Sequence, residues 1–185
     1  MAELAARRRT PAVAATAGLR LLPPSARFIL RADARAISVA GAAIGIDVDP
    51  APCRASQGET CAALWLGPDE YLLLAAAVEA RALAFSLDDV MQGEQHSLVE
   101  VSHRQTALEI SGPRAAEILN SGCPLDLDLT AFPIGMCTRT VFAKAEIVLW
   151  RTAADVFHLE VWRSFTAYVA RFLSEVAREY EDAWR

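Results

Sequence analysis

Lysine is almost missing from this chain of 185 residues: of its 18 basic side chains, Lys144 is the one that is not arginine. Acidic residues number 23, so the formal net charge is −5 and no general basic field exists to draw a phosphate backbone, which argues against nucleic acid as a partner. Long apolar runs are missing too. Nothing approaches the roughly 18 consecutive apolar residues of a membrane-crossing helix, and no membrane association is expected. The four cysteines, Cys53, Cys61, Cys123 and Cys137, form no C-x-x-C pair and have no histidine at zinc-finger spacing. They read as reduced, mostly packed thiols of a cytoplasmic protein. The three histidines, His96, His103 and His158, show no metal-ligand spacing to one another, to cysteine or to carboxylate. Ser102 and His103 are chain neighbours, which point to opposite faces of a strand and so cannot act as nucleophile and base. Gly41 and Gly45 lack the third glycine of a dinucleotide loop and read as small residues that let a helix approach a sheet.

What is present is a core-forming pattern, with 54% hydrophobic residues. Arg7-Arg8-Arg9 followed by Pro11 to Leu19 loosely imitates a secretory signal. Its apolar part is mostly alanine and is cut by Arg20, so residues 1–26 are expected to be a flexible or docking arm. From residue 27 onward the period alternates between two and 3.6. Strands are expected over 27–31, 62–66 and 71–75, the last two joined by a Gly-Pro-Asp-Glu turn. Helices are expected over 34–46, after an Asp33 cap, and over 78–92, with Leu83, Leu87, Val90 and Met91 inward. The run Val99 to Leu129 reads as half-buried strands, a Ser111-Gly112-Pro113 cap, a short helix, a left-handed stop at Gly122 and an acidic strand. Strands at 138–143, 146–151 and 156–161 follow, then a helix capped by Ser164 with Phe165, Tyr168, Val169, Phe172, Leu173, Val176 and Tyr180 on a broad apolar stripe.

Laid side by side, residues 27–101 give β-α-β-β-α-β and residues 104–180 give β-α-β-β-β-α. An α+β fold built by duplication follows, forming a single domain over 27–185.

Candidate chemistry is sparse. Asp126 and Asp128 alternate with leucines and would face one way, where they could pair as acid and base, hold a cation, or sit on a solvated face or beside interface arginines. Cys123 follows a helix end, whose dipole raises a thiol pKa. Arginine is the cation favoured in interface cores, and Arg104, Arg139 and Arg163, near strand and helix ends, are expected to face partners or Asp126. Trp162 and Ser164 flank Arg163 and complete the set of interface or structural candidates. No catalytic residue and no metal ligand is assigned.

The wording adds to this. SHRQTALEISGPRAAEILNSGCPLDL, AFPIGMCTRT, VWRSFTAYVARFL and, earlier, LWLGPDEYLLL resemble the gamma subunit of heterotetrameric sarcosine oxidase over residues 28–180. The resemblance implies a fold like the folate-binding domain of the glycine-cleavage aminomethyltransferases. It implies alpha, beta and delta subunits as partners in a complex that oxidises sarcosine to glycine, hydrogen peroxide and a one-carbon unit passed to tetrahydrofolate. In that family FAD, FMN and NAD belong to the alpha and beta chains and zinc to delta, and the gamma chain is non-catalytic. Two alternatives stand beside it: a stand-alone folate-binding or aminomethyltransferase-like protein, and an interaction module of another complex. Against the first, Cys123 is followed by Pro124 where the related iron-sulfur repair proteins carry a Lys-Gly-Cys-Tyr-type motif.

Overall fold

The computed structural model describes residues 18–180, which cluster into two compact units. One comprises residues 24–102 and 135–138; the described part of the other is 18–23, 103–134 and 139–180. Of the expected N-terminal arm, residues 1–17 lie outside the described residues. Leu19–Leu21 forms a strand, β1, and Ser25 already begins β2 (Ser25–Ala32).

In the first unit β2 is followed by α1 (Ala34–Ala43), β3 (Ala55–Gln57), β4 (Cys61–Gly67), β5 (Glu70–Ala76), α2 (Ala80–Val90) and β6 (His96–Glu100). The pairings are antiparallel and the strand order is β3-β4-β5-β2-β6. As the sequence predicts, Asp33 caps α1: its Oδ1 accepts from the Ala36 amide at 2.8 Å. The core joins Phe28 and Leu30 of β2 and Tyr71 and Leu73 of β5 to Ile37 of α1 and to Leu83, Leu87 and Met91 of α2 and its cap. Gly41 has a different reason from the expected one. A Cβ there would lie 2.6 Å from Val48 Cγ2 and 2.7 Å from the Ile46 carbonyl, so it admits the chain returning after the helix.

The second unit runs β7 (Gln105–Ser111), α3 (Ala115–Asn120), β8 (Cys137–Phe142, whose first two residues cluster with the first unit), β9 (Ala145–Ala153), β10 (Val156–Trp162) and α4 (Thr166–Glu179). Its sheet has the order β8-β9-β10-β7-β1. The two orders match position for position, so the duplication holds at the level of topology. The equivalent of β6, which follows α2, is supplied in the second unit by β1, which precedes the whole first unit.

Four expectations fail locally. Strand β7 has a neighbour on each side and is buried on both faces from Gln105 to Leu108, so its alternation does not mark half-burial. Pro113 is not the first helical residue. Gly112 takes φ +119° in a turn, and α3 begins after Arg114 with no side-chain cap. Gly122 is not in the left-handed region; a Cβ there would meet the Phe142 ring at 2.8 Å. Ser164 does not cap α4 either: the N-cap is Phe165, and the Thr166 hydroxyl turns inward to bond that of Thr106.

Candidate partner interface

The expected acidic strand is a loop. Asp126 Oδ1 accepts from the Asp128 amide at 2.9 Å, and Asp128 Oδ1 accepts from the Thr130 amide at 2.9 Å and from its hydroxyl at 2.6 Å. These are Asx turns, and a side chain that bonds two residues onward imitates the period of a strand. Both carboxylates face solvent, while Leu127 between them is fully buried. The Thr130 hydroxyl and then its amide hold the Asp128 carboxyl below its ordinary pKa. Asp126 therefore caps a turn, and no arginine among the described residues is paired with it.

The loop is pinned from beneath by Arg151 on β9. Its Nη1 donates to the Leu127 carbonyl at 3.0 Å and the Phe132 carbonyl at 2.7 Å, while Nε and Nη2 donate to the Ala154 carbonyl at 3.0 and 2.7 Å. The guanidinium also lies 4.6 Å from the centre of the Phe157 ring. Burial pulls its pKa down, with Asp155 and Asp128 opposing, yet a guanidinium stays charged. Periodicity could not reveal this residue, because its role depends on carbonyls 19 to 24 positions away.

Four of the sequence-selected residues come together. Gln105 at the start of β7 lies opposite Trp162 at the end of β10. That register brings the turn before β7 against the turn leading into α4. The Arg163 amide donates to the Arg104 carbonyl at 2.9 Å, and the Arg104 guanidinium stacks 5.3 Å from the centre of the Trp162 ring. Ser164 sits exposed in the same turn. Arg139 is elsewhere, on β8, with Nε 3.8 Å from Glu146 of the adjacent hairpin strand.

After the turn that carries Trp162, an aromatic row runs from Phe165 along α4. Phe165 meets Tyr168 edge-on at 6.4 Å, Tyr168 meets Phe172 at 6.3 Å, and Phe172 packs edge-on against Phe142 at 5.1 Å. The buried face of α4 is Thr166, Val169, Ala170, Leu173 and Ala177. Phe165 and Tyr168 remain 40% and 38% exposed, so the broad stripe divides into a core face and a surface face. Its width was the available signal, because an ordinary core-facing stripe covers little more than 100° of a helix.

Several other polar and titratable groups are structurally engaged. The pattern missed His158 and Glu160, two apart on β10 and hence on one face. His158 Nε2 lies 2.9 Å from Glu160 Oε1, and Glu160 is fully buried. Ser102 and His103 lie in the turn between β6 and β7 rather than on a strand, and the Ser102 hydroxyl donates to Glu100 and accepts from the Arg27 amide. Burial, rather than the expected helix dipole, is the main reason the Cys123 thiol is pushed up. Burial likewise pushes Cys137 up to about 12, while its Sγ donates to the Trp65 carbonyl. On alkylation of the folded chain at neutral pH, Cys53 and Cys61 are expected to react and Cys123 and Cys137 to stay unmodified, as read by peptide mass spectrometry. Because the folded-state pKa of Cys137 is raised, its contribution to stability is present below the ordinary thiol pKa near 8.5. It is lost as pH rises from there towards about 12.

Two antiparallel sheets in matching order, with helices after equivalent strands, define a chain with the folate-binding-domain fold of the aminomethyltransferases. The structure superposes with a TM-score of 0.65 on the glycine cleavage system aminomethyltransferase T of Bartonella henselae, at 15% identity over 84% of this chain and 45% of that one. That likeness concerns the fold. The chain belongs to the sarcosine oxidase gamma subunit family, which it matches over residues 31–179. It is 32% identical over 172 residues to the sarcosine oxidase subunit gamma of Corynebacterium sp. (strain P-1), covering 93% of this chain and 80% of the relative. It also superposes with a TM-score of 0.82 on a chain of the heterotetrameric sarcosine oxidase from Corynebacterium sp. U-96 in complex with pyrrole 2-carboxylate. There the identity is 29%, over 97% of this chain and 93% of that one.

Proposed function

We propose that the chain is the gamma subunit of a heterotetrameric sarcosine oxidase and serves in it as a structural, non-catalytic component. The complex it completes oxidises sarcosine to glycine and hydrogen peroxide and passes a one-carbon unit to tetrahydrofolate. Alpha, beta and delta chains are its partners, and FAD, FMN, NAD and zinc reside on them. The observation that carries the proposal is agreement over nearly the whole length with a chain of a heterotetrameric sarcosine oxidase, in sequence and backbone together.

The chain's own chemistry supports a structural part. Asp126 and Asp128 are consumed by turns, and Arg151 by backbone carbonyls. Cys123 and Cys137 are held protonated. No helix among the described residues is long and apolar enough to cross a membrane. Co-expression of this chain, affinity-tagged, with its proposed alpha, beta and delta partners is expected to yield all four after purification. Recovery of the tagged chain alone would remove the proposal.

A further inference from the structure

Two of the four cysteines stand opposite each other in a short pairing outside both sheets. Residues 53–55, entering β3, run antiparallel to residues 135–137, entering β8, and both stretches belong to the first compact unit. The Cys137 amide donates to the Cys53 carbonyl at 2.9 Å, Arg54 is paired with Met136, and the Ala55 amide donates to the Gly135 carbonyl at 2.8 Å. Residues opposed in this way have Cα atoms about 5.5 Å apart, inside the range of roughly 4.4–6.8 Å that a disulfide spans. Both thiols are free. They also lie within electrostatic reach: after burial, a negative charge on Cys53 is a further cause that raises the Cys137 pKa. The contact of Cys61 is instead the Thr60 hydroxyl, and those of Cys123 are Leu125 and Thr140.

The two thiols differ in access. Cys53 is half-buried, within reach of a small solute, whereas Cys137 is fully buried, its Sγ 3.6 Å from the Trp65 carbonyl. The backbone at Cys53 is left-handed, with φ +61°, a conformation that favours glycine and persists on another residue only where its surroundings hold it. Here the pairing holds it, and Cys53 is kept beside Cys137.

We propose that Cys53 and Cys137 form a peroxide-operated thiol pair that closes to a disulfide in the folded chain. The inference goes beyond the gamma-subunit proposal, on which it rests only for the source of its oxidant, hydrogen peroxide. The accessible thiol reacts first. Cys53 Sγ attacks one oxygen of hydrogen peroxide; the O–O bond breaks, an S–O bond forms, and the departing hydroxide takes the thiol proton and leaves as water. Cys137 Sγ then attacks Cys53 Sγ. The S–S bond forms, the S–O bond breaks, and the hydroxide leaves with the Cys137 proton as a second water. The two thiols together lose two electrons, and one peroxide is reduced to two waters. Burial makes the Cys137 thiolate scarce, so its attack draws on the effective concentration of a partner held in place. The product ties the entry to β3 covalently to the entry to β8, two places far apart in the sequence, and spares Cys53 the irreversible oxidation that follows a sulfenic acid.

The test treats the reduced, purified full chain with stoichiometric hydrogen peroxide, alkylates it without reductant and maps the peptides by mass spectrometry, for the wild type and for Cys53→Ser. Thermal melting of both reduced chains checks that they fold. The wild type is expected to yield a peptide linked through Cys53 and Cys137, with Cys61 still open to alkylation. Its urea midpoint should rise, and dithiothreitol should reverse the shift. Cys53→Ser should show neither the link nor the shift. Sulfinic acid at Cys53 with Cys137 still a thiol, a link from Cys53 to Cys61, or a link that forms only in urea would overturn the inference. In the four-chain complex, sarcosine turnover should form the same link and catalase should prevent it. A link made by added peroxide but not by turnover upholds the thiol pair and removes the complex as its source of oxidant. Failure of the four chains to assemble removes the gamma-subunit proposal and leaves the added-peroxide result to decide the thiol pair by itself.

Discussion

Arg151→Ala is expected to destabilise the isolated chain by about 3–5 kcal/mol, the combined cost of stranding two buried carbonyl acceptors at about 1–3 kcal/mol each. The guanidinium donates to three carbonyls from two different loops, and its removal strands the Leu127 and Phe132 carbonyls in a region from which water is excluded. An unsatisfied buried acceptor alone costs about 1–3 kcal/mol. It also removes the cation stacked on Phe157. For a chain of this size the melting temperature should fall by on the order of 10 °C. Arg151→Lys should recover only part of the loss, because one ammonium cannot reproduce the planar fork that reaches Ala154 with two nitrogens and the loop with a third. A loss below about 1 kcal/mol in urea unfolding would mean that the loop over Leu127 is held by its apolar contacts alone.

Gly122 should behave as a packing residue. A Cβ there would lie 2.8 Å from one carbon of the Phe142 ring and 2.9 Å from another, distances that require the ring to move. Phe142 is fully buried and locked edge-on against Phe172 of α4, so Gly122→Ala is expected to cost about 1–3 kcal/mol through overpacking. The same substitution made in Phe142→Leu should cost clearly less, since the ring is gone. A coupling of zero between the two changes would show that Gly122 acts through backbone conformation instead.

The positions where local pattern and structure part company share a physical cause. Strands β4, β5, β8, β9 and β10 and the Asp33 cap were legible because each depends on its own residues: alternation, a Gly-Pro turn, a carboxylate three positions before an amide. The two three-residue strands were not. β1 and β3 are too short for a period and exist because β7 and β4 offer them a partner. Asp126 and Asp128 misled for the opposite reason, since an Asx turn repeats at the spacing of a strand. Gly122 precedes Pro124 as a helix stop does, and only Phe142, twenty residues on, reveals why no side chain is tolerated there.

The candidate interface was legible as a set of residue types, not as a place. Arg104 and Trp162 lie far apart in the chain, and the Gln105 to Trp162 register of β7 and β10 is what sets them together. The wording of the sequence carried the family where local chemistry carried no site. The structure adds that the two halves share one strand order, with β1 supplying to the second sheet what β6 supplies to the first. Truncation into β1 therefore removes an edge of the sheet whose other strands position α4.

The most direct measurement compares sarcosine-dependent hydrogen peroxide production by this chain alone, by its alpha, beta and delta partners expressed without it, and by all four together. The account predicts no peroxide from the chain alone and full, stable activity only from the four-chain complex. Peroxide formed from sarcosine by the isolated chain, or an unchanged and equally stable complex in its absence, would contradict it.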